Sequence, residues 1–318
     1  MLKSLTPKGA SRAKTSTAKP GTEAESVAEV FSTRQVAQLL GVGEATVKRW
    51  ADSGEIDCFR TPGGHRKFRL RDVTGFVQKR QYEVAGRLQS PLGDEEVDSV
   101  EDAIRSIEKY AMRGDAGACV GLMSMLRLKG FSLAEIFDDV VAPALRTVGT
   151  KWERSNISVA EEHVATQTIV EAIARAQPLA EPPGEPNRAD RGTAVVASVS
   201  GDQHDVAARM AACLLRARCF EVLAPLAQTP ARDLAEMIVR SRASIVALAC
   251  TMPHDVPALL EQVDLAEQAT RQTGGLLLVG GPGMEKVRLP QGARLLGGMR
   301  QLIAESEPAG RRRVSRGA

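Results

Sequence analysis

The chain has 318 residues, room for two or three domains with a sizeable core, and 43 % of them are hydrophobic. No uninterrupted apolar run could cross a bilayer, and the basic, Ser/Thr/Ala-rich start MLKSLTPKGASRAKTSTAKP has no apolar stretch of a secretory signal, so a cytoplasmic, non-membrane protein is expected. The net charge of +3 is uneven: residues 1–84 carry 15 Lys and Arg against 9 Asp and Glu, the remainder 27 against 30, so nucleic-acid contact is expected only at the front.

Residues 1–30 read as a disordered basic arm. After it, FSTRQVAQLLGVGEATVKRWADSGEI predicts two short helices split by a glycine-flanked turn. Ser32 or Thr33 can cap the first helix, Val36, Leu39 and Leu40 recur at helical spacing, and Gly41 ends it. Glu44 opens the second helix, whose Val47 and Trp50 face inward. A Gly-containing strand pair and a third helical segment, LRDVTGFVQKR, complete a domain over 31–84.

Residues 85–97 are polar, with Ser90, Pro91 and Gly93, and read as a linker. From 98 to 178 the periodicity is helical throughout, in four segments with short loops, which predicts a four-helix bundle. Ser158 and Glu161 fit a capping box for the last helix. Residues 179–192 are proline-rich and charged, a second and semi-rigid linker. Short apolar runs then alternate with amphipathic stretches: TAVVASV, FEVLAPL, SIVALAC, GLLLVGG and ARLLGG. Such runs predict a parallel sheet covered on both faces, a doubly wound Rossmann-like α/β domain over 193–306, before a basic tail at 307–318. The fold class is therefore multidomain, α and α/β.

The chemistry-bearing residues are few. Cys58, Cys119, Cys213, Cys219 and Cys250 have no CxxC spacing or partnered His cluster, which argues against zinc and a disulfide framework. Gly63 and Gly64 suit a tight turn with positive φ that brings amides and cations to phosphate. No catalytic triad or enzymatic substrate pocket is legible, and a non-enzyme is expected.

Helix-turn-helix followed by CFRTPGGHRKFRLRDV resembles the winged helices of the MerR and excisionase-like families over residues 31–80. The resemblance implies that the second helix enters the major groove and the wing lies along the backbone of an operator duplex. It places Glu44, Ala45, Thr46, Lys48 and Arg49 on the exposed helix face, and Arg60, His65, Arg66 and Lys67 in the wing. Of these, Thr46, Lys48, Arg49, Arg60, His65, Arg66 and Lys67 are the expected DNA-binding residues. Lys48 or Arg49 as merely solvated charges, and His65 as a pin for the wing, remain open.

In the rear domain, Asp202-x-His204-x-x-Ala207 directly after TAVVASV resembles the DxHxxG motif of cobalamin-binding domains. Ala249-Cys250-Thr251 and Gly280-Gly281 fall where that family has its SxL and GG elements. The likeness implies that His204 is the lower axial ligand of cobalt, oriented by Asp202 through its other ring nitrogen, with Val206, Ala249, Thr251, Gly280 and Gly281 around the cofactor. Ala207 and Ala249 depart from the motif, adding a methyl group and removing a hydroxyl, and Thr251 can supply one hydrogen bond. A capping or core histidine on a generic loop is the alternative.

Trp152, nine residues, then Glu162-His163 resembles the W-x9-EH motif of helical bundles in light-sensing, cobalamin-dependent MerR-family regulators of the CarH type. The order of winged helix, bundle and cobalamin domain is also similar. The resemblance implies adenosylcobalamin as cofactor, other cobalamins being possible, with Trp152 over the upper ligand and Glu162 and His163 bonding near it. It also implies a repressor acting as a tetramer or dimer whose assembly depends on the cofactor. In that family a histidine directly after the tryptophan can bind cobalt once the adenosyl group leaves; here that position is Glu153, so the same photoproduct is not expected. Trp152 as bundle core is the alternative. Two rival functions stay open: a corrinoid methyl carrier, and a cofactor-free DNA-binding regulator with a vestigial cobalamin domain.

Overall fold

The computed structural model describes residues 30–40, 42–69, 72, 73, 75, 76, 97, 99–177 and 191–311. Residues 1–29 of the predicted arm, Gly41, residues 85–96 and 179–190 of the two predicted linkers, much of LRDVTGFVQKR and the tail beyond Arg311 lie outside the described residues, while Val30, expected as the end of the arm, opens the first strand.

The front of the chain is a winged helix-turn-helix. Strand β1 (Val30–Ser32) leads into α1 (Thr33–Leu39), and α2 (Glu44–Asp52) follows after the turn. Strands β2 (Phe59–Arg60) and β3 (Arg66–Arg69) form the wing, with β3 central in an antiparallel sheet of order β1-β3-β2. Val36, Leu40, Val47, Trp50, Ile56 and Phe68 are buried together with Val73 and Phe76 from the next helical stretch, and Trp50 stacks tilted on Phe76 with ring centroids 4.7 Å apart.

The bundle starts at Ser99, whose hydroxyl accepts from the Asp102 amide while Asp102 returns the bond, a capping box for α3 (Val100–Met112). Helix α4 (Ala116–Leu128) is buried on nearly every side, as its apolar sequence requires. Then α5 (Leu133–Ile136) runs through a π-helical turn, Phe137–Val141, into α6 (Ala142–Glu153). Pro143 explains the widening: it has no N–H to give the carbonyl four residues back. Helix α7 (Val159–Ala176) buries one stripe, Ala165, Thr168, Ile169, Ala172, Ile173 and Ala176.

The described chain divides into two compact units at Ala165/Thr166, within α7. The second contains the α/β domain: β4 (Thr193–Ser198), α8 (Val206–Ala217), β5 (Glu221–Leu226), α9 (Ala231–Arg240), β6 (Ile245–Ala249), α10 (Val256–Thr273), β7 (Leu276–Gly280), β8 (Ala293–Leu296) and α11 (Met299–Arg311). The helix α11 extends past residue 306, into the segment expected as tail. The five strands are parallel in the order β5-β4-β6-β7-β8. Alternate residues of β4 and β6 feed two cores. Val195, Ala197, Val246 and Leu248 pack with α9 and α10 residues such as Leu234, Ile238, Leu259 and Val263. Ala194, Val196, Ile245 and Ala247 pack with Ala208, Ala211 and Leu215 of α8 and Leu302 of α11. This two-faced burial is why the strands read as unbroken apolar runs.

Candidate cofactor site and nucleic-acid interface

The chain passes from β4 to β5 on one side and then to β6 on the other side of β4. The carboxyl ends of β4 and β6 therefore flank the point where strand order reverses, the place where open α/β sheets bind ligands. Ser198, Ala249 and Gly280 are register partners across these strand ends, so the three motif-bearing loops leave the sheet from one row.

On the β4–α8 loop, Asp202 is fully buried. Its Oδ1 accepts from the His204 amide at 2.9 Å and faces His204 Nδ1 at 2.7 Å. Its Oδ2 accepts from the Thr251 and Met252 amides at 2.5 and 3.3 Å, tying the β4 and β6 loops together. A buried carboxylate held by two amides across the sheet is rigid, and it makes Nδ1 the protonated ring nitrogen. No described residue is bonded to Nε2, and the His204 side chain is 50 % exposed. The imidazole thus has the tautomer and access of a metal ligand. Among the described residues no three His, Cys, Asp or Glu side chains gather as a metal site. A single axial imidazole for cobalt already held in a corrin ring is a different donor set, and His204 fits it.

The other expected cofactor residues divide by role. Gly281 has φ +99°, and a Cβ there would lie 2.3 Å from the Cys250 carbonyl oxygen, so backbone approach demands glycine; Gly280 meets only ordinary contacts. Thr251 serves Asp202 through its amide. Val206 and Ala249 are buried, and Ala207 packs against the same core as Ala249, between sheet and α8. The two departures from the motif therefore share one face.

Two neighbours escaped the sequence reading. Gln262 on α10 is 1 % exposed; its Oε1 accepts from the Ser200 amide at 2.6 Å, anchoring the loop of His204, and its Nε2 has no partner. Ser198 is buried and its hydroxyl donates to the His204 carbonyl at 3.3 Å. A bond spanning 62 residues leaves no local signal.

In the bundle, Trp152 at the end of α6 is 43 % exposed, which removes the bundle-core alternative for it. Val159 and Val164 are exposed as well. Ser158 and Glu161 form the expected capping box, and the Ser158 amide and hydroxyl hold the Glu161 carboxyl below the usual carboxylate range. Glu162 follows, half-buried, with Oε2 3.7 Å from Nε2 of the exposed His163.

On the winged helix, Val47 and Trp50 face inward, Glu44, Ala45, Lys48 and Arg49 are exposed, and Thr46 is half-buried. In the wing Gly64 has φ +79°; Gly63, expected to share that conformation, does not. Arg60 and His65 are exposed and Lys67 half-buried. Arg66 is drawn onto Asp52 of α2, an acidic residue that no local pattern singled out.

Three family models match the chain: a helix-turn-helix domain over residues 30–81, and two B12 binding domains over residues 103–177 and 192–288. The transcriptional repressor DcmR of Methylorubrum extorquens is 38 % identical over 79 residues, 24 % of this chain and 28 % of DcmR, so the match spans little more than a quarter of that relative. The HTH-type transcriptional repressor CarH of Myxococcus xanthus is 25 % identical over 243 residues, 67 % of this chain and 76 % of CarH. A monomethylamine corrinoid protein of Methanosarcina barkeri superposes with a TM-score of 0.50 at 15 % identity, over 65 % of this chain and 98 % of that one, a likeness of fold. These matches define a class, proteins that join a helix-turn-helix domain to a two-part B12-binding module. Within it, this chain is similar to CarH over two thirds of its own length.

Proposed function

We propose that the chain is a repressor that binds adenosylcobalamin through His204, that it is not an enzyme, and that the state of the cofactor sets its assembly and hence its grip on an operator duplex. The observation that carries this reading is the buried Asp202 carboxylate fixing Nδ1 of a half-exposed His204 at the switch point of the sheet. Asp202 orients the imidazole and Gln262 anchors the loop that bears it. Trp152, Glu162 and His163 would serve the cofactor's upper ligand, the exposed indole as apolar cover and the two polar groups as hydrogen-bond partners. When bound, the cofactor supplies a cobalt–carbon bond that light can break, which makes light the proposed signal.

The test is an absorption spectrum of the full chain mixed with adenosylcobalamin in the dark, desalted and then illuminated. A corrinoid spectrum that survives desalting, changes with light and is lost in His204→Ala is the expected result. A colourless protein overturns the proposal in favour of a cofactor-free regulator. Methyl transfer from a partner methyltransferase to the bound cobalt would instead establish a corrinoid methyl carrier.

A further inference from the structure

Asp52 is the last residue of α2, the helix proposed to enter the major groove. Two costs attach to a carboxylate there. It faces the negative end of the helix dipole, and it adds an anion to a surface meant for phosphate. Both are offset by one arrangement. Asp52 Oδ1 is ion-paired with Arg66 of β3, and Arg60 of β2, the cross-strand partner of Arg66, brings its Nη2 to 3.9 Å from the same oxygen. One carboxylate oxygen thus joins the end of the recognition helix to both strands of the wing.

The two arginines are not equivalent. The Arg66 side chain is 17 % exposed, against more than half for Arg60. Arg60 also reaches the Gly64 carbonyl at 3.5 Å, across the turn of the wing, and still keeps most of its surface in solvent.

Resting on the DNA-binding reading, we propose that Asp52 is a positioning residue that clamps the wing to the recognition helix, and that it withdraws Arg66 from phosphate contact to serve as an internal strut. Arg60, His65 and Lys67 are then the residues of the wing that meet DNA.

The sign of one substitution separates this from simple electrostatics. Removing an acidic side chain from a DNA-binding face should raise affinity if charge alone matters. Loss of the clamp should lower it, by about three- to fivefold for a pair this exposed. The probe is a duplex selected from a random pool by the full wild-type chain, with binding measured over a salt series for Asp52→Ala, Arg66→Met and the double variant. The expected results are weaker binding by both single variants, an unchanged salt slope in Arg66→Met, and a double variant no weaker than either single one. A phosphate contact at Arg66 would instead reduce the slope by about one per wing. Tighter binding by Asp52→Ala, or that reduced slope, overturns the clamp while leaving DNA binding intact. Failure of the wild-type chain to select any duplex overturns the DNA-binding reading and the clamp with it.

Discussion

At the scale of single residues, the most exacting demand falls on Asp202. Its two oxygens take two loop amides, the His204 amide and the His204 ring, and none of this surface meets water. An Asn side chain has the same shape but only one acceptor oxygen, and its NH2 would point at a donor. Asp202→Asn should therefore leave one buried amide or the imidazole without an acceptor, costing roughly 1–3 kcal/mol of stability. It should also weaken cobalamin retention by about 10- to 100-fold, the usual effect of losing the partner of a metal-bound histidine. Thermal denaturation without cofactor and absorbance titration with it separate the two effects. Unchanged retention in a variant that has lost stability would mean that Asp202 only holds the loops together.

At the scale of elements, the strands were the easiest part to read and the contacts between elements the hardest. Runs such as TAVVAS and IVALA are legible because both faces of each strand are buried, so composition alone marks them. The turn at Phe137–Val141 was not legible, since its cause is a missing donor at Pro143 and its periodicity stays close to helical. The motif made His204 visible, whereas Gln262 and Asp52 act across 62 and 14 residues and no period records them. The cysteines extend the point. Their scatter argues against a disulfide framework, but only packing separates them: Cys119, Cys213 and Cys250 are buried on α4, α8 and at the end of β6, and burial pushes each thiol up to about 12, while Cys58 and Cys219 are partly exposed. Iodoacetamide near pH 8 should thus modify Cys58 and Cys219 in the native chain and all five after denaturation, as read by intact mass. The same shifts carry a pH dependence. A thiol whose folded value lies above its unfolded value of 9.0 stabilises the fold fully below pH 9, and that contribution is lost as pH rises toward 12. Serine at Cys213 should flatten the alkaline fall in melting temperature; an unaltered pH profile would show that other groups govern it.

At the scale of the whole molecule, a single winged helix buries too little DNA for tight specific binding, so the proposed regulation through assembly would be an economical design. A cofactor can control assembly only if its two states differ in affinity for the two assemblies. Moving a population from one part in a hundred to ninety-nine requires about 5.5 kcal/mol of such difference. In the proposed reading Trp152 covers the group that light removes, and losing that group would leave an already exposed indole without its proposed apolar partner. In the dark, the chain with adenosylcobalamin should elute as a larger species than the cofactor-free chain in light-scattering chromatography, and illumination should return it to the smaller one. Glu153 bears on how that return is locked. A carboxylate at the end of α6, beside Trp152, would be a poorer metal donor than an imidazole at the same position. Glu153→His should shift the illuminated spectrum toward bis-imidazole ligation and slow reassembly when fresh adenosylcobalamin is added in the dark. An unshifted spectrum in that variant would place residue 153 away from the cobalt and leave His163 as the histidine to replace next.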